Sequence, residues 1–218
     1  MNNAVDKTSK PGAKTKPSGR KRNKPSFIEK ARRKQILEVS AELFTSRGFA
    51  ATSIEEIADK ADVSRGVIFY YFKGKRELGE ETVKQGLRNY GEYVQNRVAQ
   101  QELPQEKLLE FVDACLDYTN EHRSDYMMYV DTMGCFGSID EKYDMLVWVN
   151  QRTRALLVDL IQQGQEAGVI ASVSPVDLAD IIQGSIDGLM ELSAVEPDEV
   201  NLKGCKQLLR GMLLNTFG

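Results

Sequence analysis

Apolar residues recur at three- and four-residue spacing along most of the chain from residue 27 onward, as they do in helices that bury one stripe. The pattern is sharpest over residues 52–76. There Ile54, Ile57, Ala58 and Ala61 outline one short helix, and Arg65 to Phe72 a second. Ser53 and Ser64 suit the N-cap positions of these helices, Glu55 and Glu56 lie in a first turn where the helix dipole favours acids, and Asp62-Val63-Ser64 supplies the break between them. Two short helices joined by a sharp turn form a helix-turn-helix, whose second helix offers its first residues to base edges in the major groove. Arg65 can donate two bonds to guanine O6 and N7, Val67 can touch a thymine methyl, and Gly66 lets the backbone approach.

Upstream, the spacing predicts an amphipathic helix from Ser26 to Arg47, with Ile28, Ile36, Leu37, Val39, Ser40, Leu43 and Phe44 near one stripe. Gly48 fits the left-handed position that closes many helices, and Phe49 the apolar contact that accompanies it. Downstream, helices are predicted from Lys75 to about Gln100, Pro104 to His122, Ser124 to Met133, Glu141 to Ala167, Pro175 to Val195 and Pro197 to Phe217, with a break over Gly134 to Gly137. No alternating strand pattern appears, so the expected fold class is all-α.

Charge divides the chain in two. Residues 1–79 hold 18 Lys and Arg against 9 Asp and Glu, whereas residues 80–218 hold 11 against 23, and the overall net charge of −3 conceals this split. A basic N-terminal part favours a polyanion, while the acidic remainder is repelled from it. Residues 1–26 carry 8 basic residues against Asp6 and almost nothing apolar, so this tail is expected to be disordered, either as a passive solubilising segment or as an arm that contacts DNA. The 3 cysteines, Cys115, Cys135 and Cys205, are odd in number and form no CxxC pair, which favours reduced thiols in a cytoplasm over a disulfide framework or metal site. No apolar run approaches the length of a membrane span, and the N-terminal lysines precede no apolar stretch of signal-peptide type. Nucleophile elbows, paired-carboxylate sites and phosphate-cradling glycine loops are missing, so neither an enzyme nor a cofactor is expected.

The ordered run ILEVSAELFTSRGFAATSIEEIADKADVSRGVIFYYFKGKREL resembles the DNA-binding domain of the tetracycline-repressor (TetR) family. The matching elements are Ala41 with Leu43-Phe44, Gly48-Phe49, Thr52, Ile57-Ala58, Ala61, Val63-Ser64, Gly66, Tyr71-Phe72, Lys75 and Leu78. After the basic tail over 1–26, the resemblance implies two regions: a helix-turn-helix domain over 27–78, and a helical effector-binding and dimerisation domain over 79–218. It implies Arg65, Gly66 and Val67 as base-facing positions and Thr52, Ser53, Ser64, Tyr70, Tyr71 and Lys75 as phosphate contacts. The family usually has Tyr where this chain has Phe69, which without a hydroxyl reads as a packing residue; Phe72 reads as core. Glu55, an acid near the DNA-facing end, is expected to point away. The partners implied are a palindromic DNA operator, a small-molecule effector and a second copy of the chain, in a bacterial cytoplasm and associated with the nucleoid.

In the second domain, Phe111, Cys115, Tyr118, Tyr126, Tyr129, Met133, Tyr143 and Trp148 form a polarizable set at helical spacing. Singly such residues are most often core; together they suit a pocket for a small hydrophobic or aromatic effector. Acids nearby would favour a cation if they face that pocket, although Glu110, Asp113 and Asp117 read as a solvated face. The last two helices have wide apolar faces, which serve either as internal core or, as the resemblance implies, as a dimer interface through Ile182, Ser185, Ile186, Leu189, Leu209, Met212 and Leu213. A DNA-binding protein of the same fold that needs no ligand is the alternative reading.

Overall fold

Ser26 opens the first helix with a reciprocal capping box: its hydroxyl accepts from the Glu29 amide, and the Glu29 carboxylate accepts from the Ser26 amide at 2.6 Å. The computed structural model describes residues 26–133 and 138–215. Among them the helices are α1 (Phe27–Arg47), α2 (Ile54–Lys60), α3 (Arg65–Tyr71), α4 (Lys75–Val98), α5 (Pro104–Glu121), α6 (Arg123–Thr132), α7 (Ile139–Glu166), α8 (Pro175–Val195) and α9 (Leu202–Leu214), and no strand is present. The expected tail and the break at Gly134 to Gly137 lie outside the described residues.

The N-terminal head is held by Ile36, Leu37 and Phe44 of α1, Ile57 and Ala58 of α2, Ile68 of α3, Phe72 and Leu78, all nearly inaccessible to water. Burying each large side chain contributes about 1.5–3 kcal/mol. Gly48 ends α1 with the positive φ that favours glycine (82°), though with an extended ψ of 155° rather than a left-handed helical one. Phe49 folds back onto Phe44, the rings 5.2 Å apart.

In the rest of the molecule α5 is the central post, with consecutive residues Phe111 to Leu116 all buried. It packs against α4, α7, α8 and α9. The acids read as a solvated face are in fact clamps. Asp117 of α5 accepts from Arg97 of α4 at 2.8 Å and from Lys206 of α9 at 2.7 Å, Glu110 accepts from Arg97 at 2.5 Å, and Asp113 pairs with Arg210 of α9.

Two expectations for the final hairpin are corrected. Helix α9 begins at Leu202 rather than Pro197, because the Glu199 and Val200 amides both turn back to the Glu196 carbonyl and Asn201 then caps the helix at the Gly204 amide; the expected end at Phe217 lies outside the described residues. The apolar stripe assigned to a dimer interface also belongs largely to the core: Ile182 and Ile186 of α8 are buried where it meets α5 and α7, Leu209 and Leu213 of α9 where it meets α5, and Leu189 packs half-buried beside them. Ser185 is half-buried, Met212 is exposed, and the outward face carries Ile181, Leu192 and Leu208 instead.

Candidate nucleic-acid interface and helical-domain cavity

The helix-turn-helix is built as its sequence requires. Ser53 and Glu56 form a second capping box at the start of α2, Asp62 takes a positive φ of 50° in the turn, and Ile68 and Phe72 anchor α3 to the head core. Arg65, Gly66, Phe69 and Tyr70 are thereby left on the outside, with Ser64 exposed and making no side-chain cap bond. Val67 and Tyr71 are half-buried against the head. Lys75 stands at the first turn of α4, its ammonium 4.6 Å over the Phe49 ring and donating to the Ala50 carbonyl at 2.9 Å.

Three expectations differ here. Thr52, expected on phosphate, is 1% exposed, and its hydroxyl donates inward to the Gly48 carbonyl at 2.9 Å, bracing the turn before α2. Phe69, expected to pack inside, is 48% exposed on the outer face of α3. Glu55, expected to point away, lies 2.7 Å from the Arg65 guanidinium, both side chains being more than half exposed. A second tie crosses the same face: the Tyr70 hydroxyl donates to Glu29 at 3.0 Å, while the Ser26 backbone bond, foremost, and this one hold the Glu29 carboxyl below its ordinary pKa.

The helical domain encloses a partly open cavity of about 300 Å3 among α4 to α8. Of the residues expected there, Tyr118, Tyr126 and Tyr129 line it. Phe111 and Cys115 do not; they lie in the α5 core, where burial pushes the Cys115 thiol up to about 12. Met133 packs with Val83 and Met145, while Tyr143 and Trp148 stand at the surface, the latter beneath the Arg152 guanidinium at 5.2 Å. The residues that composition missed come from other helices: Val83, Leu87 and Tyr90 of α4, Asn150 and Thr153 of α7, and Gln183, Asp187 and Glu191 of α8. Four-residue spacing on α8 puts those last residues on one stripe, a signal that the sequence does carry.

Helix α6 joins the two regions. Asp125, Tyr126 and Tyr129 face the cavity, while Met128 both lines it and is buried in the head core. One turn on, the Asp131 carboxylate accepts from the Phe49 amide at 2.6 Å, just past the end of α1. A change in the cavity that moves α6 therefore bears directly on the head.

Among the described residues no helix is long and apolar enough to cross a membrane, and no cluster has the make-up of a metal site. Residues 36–82 match the family model of bacterial regulatory proteins of the tetR family, and residues 104–218 that of the C-terminal part of BetI-type transcriptional repressors. The chain is 28% identical over 149 residues to the HTH-type transcriptional repressor KstR2 of Mycolicibacterium smegmatis, covering 68% of this chain and 72% of that one. It is 32% identical over 181 residues to the HTH-type transcriptional regulator AcrR of Shigella flexneri, covering 78% and 82%. A putative transcriptional regulator from Saccharomonospora viridis, solved in complex with choline, has the same fold, with a TM-score of 0.74, 19% identity, and coverage of 86% of this chain and 98% of that one. The protein is therefore a DNA-binding regulator rather than an enzyme, and it belongs to the TetR family of bacterial transcriptional regulators.

Proposed function

We propose that this regulator acts as a homodimeric repressor that holds a palindromic operator and releases it when a small hydrophobic or aromatic effector enters the cavity of its helical domain. The observation that carries the reading is the double duty of α6, whose Met128 belongs at once to the cavity wall and to the core beneath the recognition helix. A ligand that favours one placement of α6 shifts the equilibrium between two placements of the head by the difference in its affinity for them. Within the head, Arg65, Gly66 and Val67 read bases, and Ser53, Ser64, Tyr70, Tyr71 and Lys75 grip phosphates.

Selection of bound duplexes from a random pool supplies the operator, and fluorescence anisotropy then compares it with a scrambled duplex. A palindromic half-site pattern and loss of the preference in Arg65→Ala, by roughly 1–3 kcal/mol, are the expected outcomes. A preference left intact in that variant excludes Arg65 as a base reader. Operator affinity that no small molecule alters favours a ligand-independent DNA-binding protein.

A further inference from the structure

The polar lining of the cavity is one-sided. Asp125 comes from α6, and Gln183, Asp187 and Glu191 form the four-residue stripe on α8, while among the described residues no Lys, Arg or His lines the space. Four of the neighbouring donors are already engaged. The Tyr118 hydroxyl donates to Asp125 at 3.1 Å, the Gln183 amide to Asp187 at 2.6 Å, and the Thr119 and Thr153 hydroxyls to carbonyls of their own helices. With its nitrogen end fixed on Asp187, Gln183 is left with Oε1 buried and unpartnered. The surplus is thus acceptor capacity and negative charge. Asp187 opens onto the cavity, and burial raises its carboxyl above the ordinary pKa. The Tyr126 and Tyr129 phenols are raised as well, first by burial and then by their charged surroundings, Glu191 and Asp187 for the former.

Aromatic surface surrounds these acids. Tyr90 and Tyr118 meet edge to face with centroids 5.2 Å apart, and Tyr126 and Tyr129 lie 6.4 Å apart. Ring faces carry negative charge density and attract cations.

We propose that the cavity takes a protonated organic amine with an apolar or aromatic body, its ammonium facing the α8 stripe of Gln183, Asp187 and Glu191 and its body lying among the tyrosines. The inference rests on the reading of this cavity as the effector site. A neutral guest leaves the carboxylates desolvated and uncompensated, and an anion adds like charge to them. A quaternary ammonium brings charge without N–H donors, so it meets only part of the surplus.

Calorimetric titration of the full chain with phenylbutylamine, phenylbutyltrimethylammonium, phenylbutanol and phenylbutyrate holds the body constant and varies the head. The amine is expected to bind at least about tenfold tighter than the alcohol, with the trimethylammonium form between them and the carboxylate weakest. In the double variant Asp187→Asn, Glu191→Gln the amine should lose about tenfold or more while the alcohol changes by less than about twofold. Operator affinity of the ligand-free variant reports that it has folded. If the alcohol or the carboxylate matches the amine, the charge assignment is overturned and the cavity remains a ligand site. A trimethylammonium form as tight as the amine overturns the donor role. If none of the four binds, the cavity reading and this inference fall together.

Discussion

Glu55 sets how Arg65 can be used. Their exposed pair at 2.7 Å contributes only about 0–1 kcal/mol to stability, since water screens both charges. On the proposal that Arg65 reads bases, its consequence lies in recognition: a carboxylate beside that guanidinium repels phosphate wherever no base edge compensates. Glu55→Gln is therefore expected to strengthen binding to scrambled duplexes by about three- to tenfold, more than to the operator, lowering the specificity ratio. Anisotropy titrations at several salt concentrations measure that ratio, and an unchanged value removes Glu55 from recognition. Asp187 shows a cost of a different kind. Its folded-state pKa is raised by burial, so the folded protein holds that proton more tightly than the unfolded chain does. The favourable contribution is then complete below the unfolded pKa and is lost as pH rises through the folded one. Asp187→Asn should accordingly raise Tm at pH 7, with the gain shrinking as pH falls and vanishing below the unfolded aspartate value of about 4; thermal melts across pH test both sign and window. Residue types announced the chemistry of this site better than its orientation. Thr52 turns inward because the Gly48 carbonyl needs its hydroxyl, and Phe69 turns outward because Ile68 and Phe72 already fill the inner face of a seven-residue helix.

At the scale of elements, caps were the most legible feature. Ser26, Ser53 and Pro175 mark helix starts where local chemistry alone decides them, whereas the start of α9 depends on a turn that gathers two amides on the Glu196 carbonyl. Cavity lining was far less legible, because five helices contribute to it and no single periodicity reports their meeting. Helix α6 is the element on which the proposed function turns. Met128→Ala removes a side chain shared by cavity and head, and it should destabilise the fold by about 2–5 kcal/mol in urea unfolding. If the loss is well under that range, Met128 is not holding the head to α6. Gly164 in α7 is required for another reason. A Cβ there would run into the Ile170 side chain, 2.7 Å from its Cγ1, so that side chain would have to shift where the chain folds back after α7. Gly164→Ala is expected to cost about 1–3 kcal/mol through overpacking, again read by denaturant unfolding.

The whole molecule sets the helix-turn-helix head on an acidic helical body, and the outer α8–α9 face of that body is rich in exposed apolar side chains. Ile181, Leu208 and Met212 are 65%, 67% and 64% exposed, and Gly184 and Gly188 between them have no atom within 4 Å of where a Cβ would stand. The wide apolar faces of the hairpin made its two stripes indistinguishable in sequence; packing on α5, which both helices share, chose Ile182, Ile186, Leu209 and Leu213 for the interior and left the neighbouring stripe outside. An apolar face interrupted by glycines suits close approach of a second helix pair, and burial of each large side chain there contributes about 1.5–3 kcal/mol to association. Leu208→Glu combined with Met212→Glu places two carboxylates on that face without touching the core, since both side chains already stand in solvent. Circular dichroism should therefore be unchanged, while sedimentation should show a monomer where the unaltered chain, on the proposed reading, sediments as a dimer. Operator affinity should fall by roughly a hundred- to ten-thousandfold, because each half-site must then be held without the effective concentration that a tethered partner provides. A double variant that still sediments as a dimer assigns the contact to another surface. One that is monomeric but binds the full operator undiminished shows that the reading head does not depend on pairing.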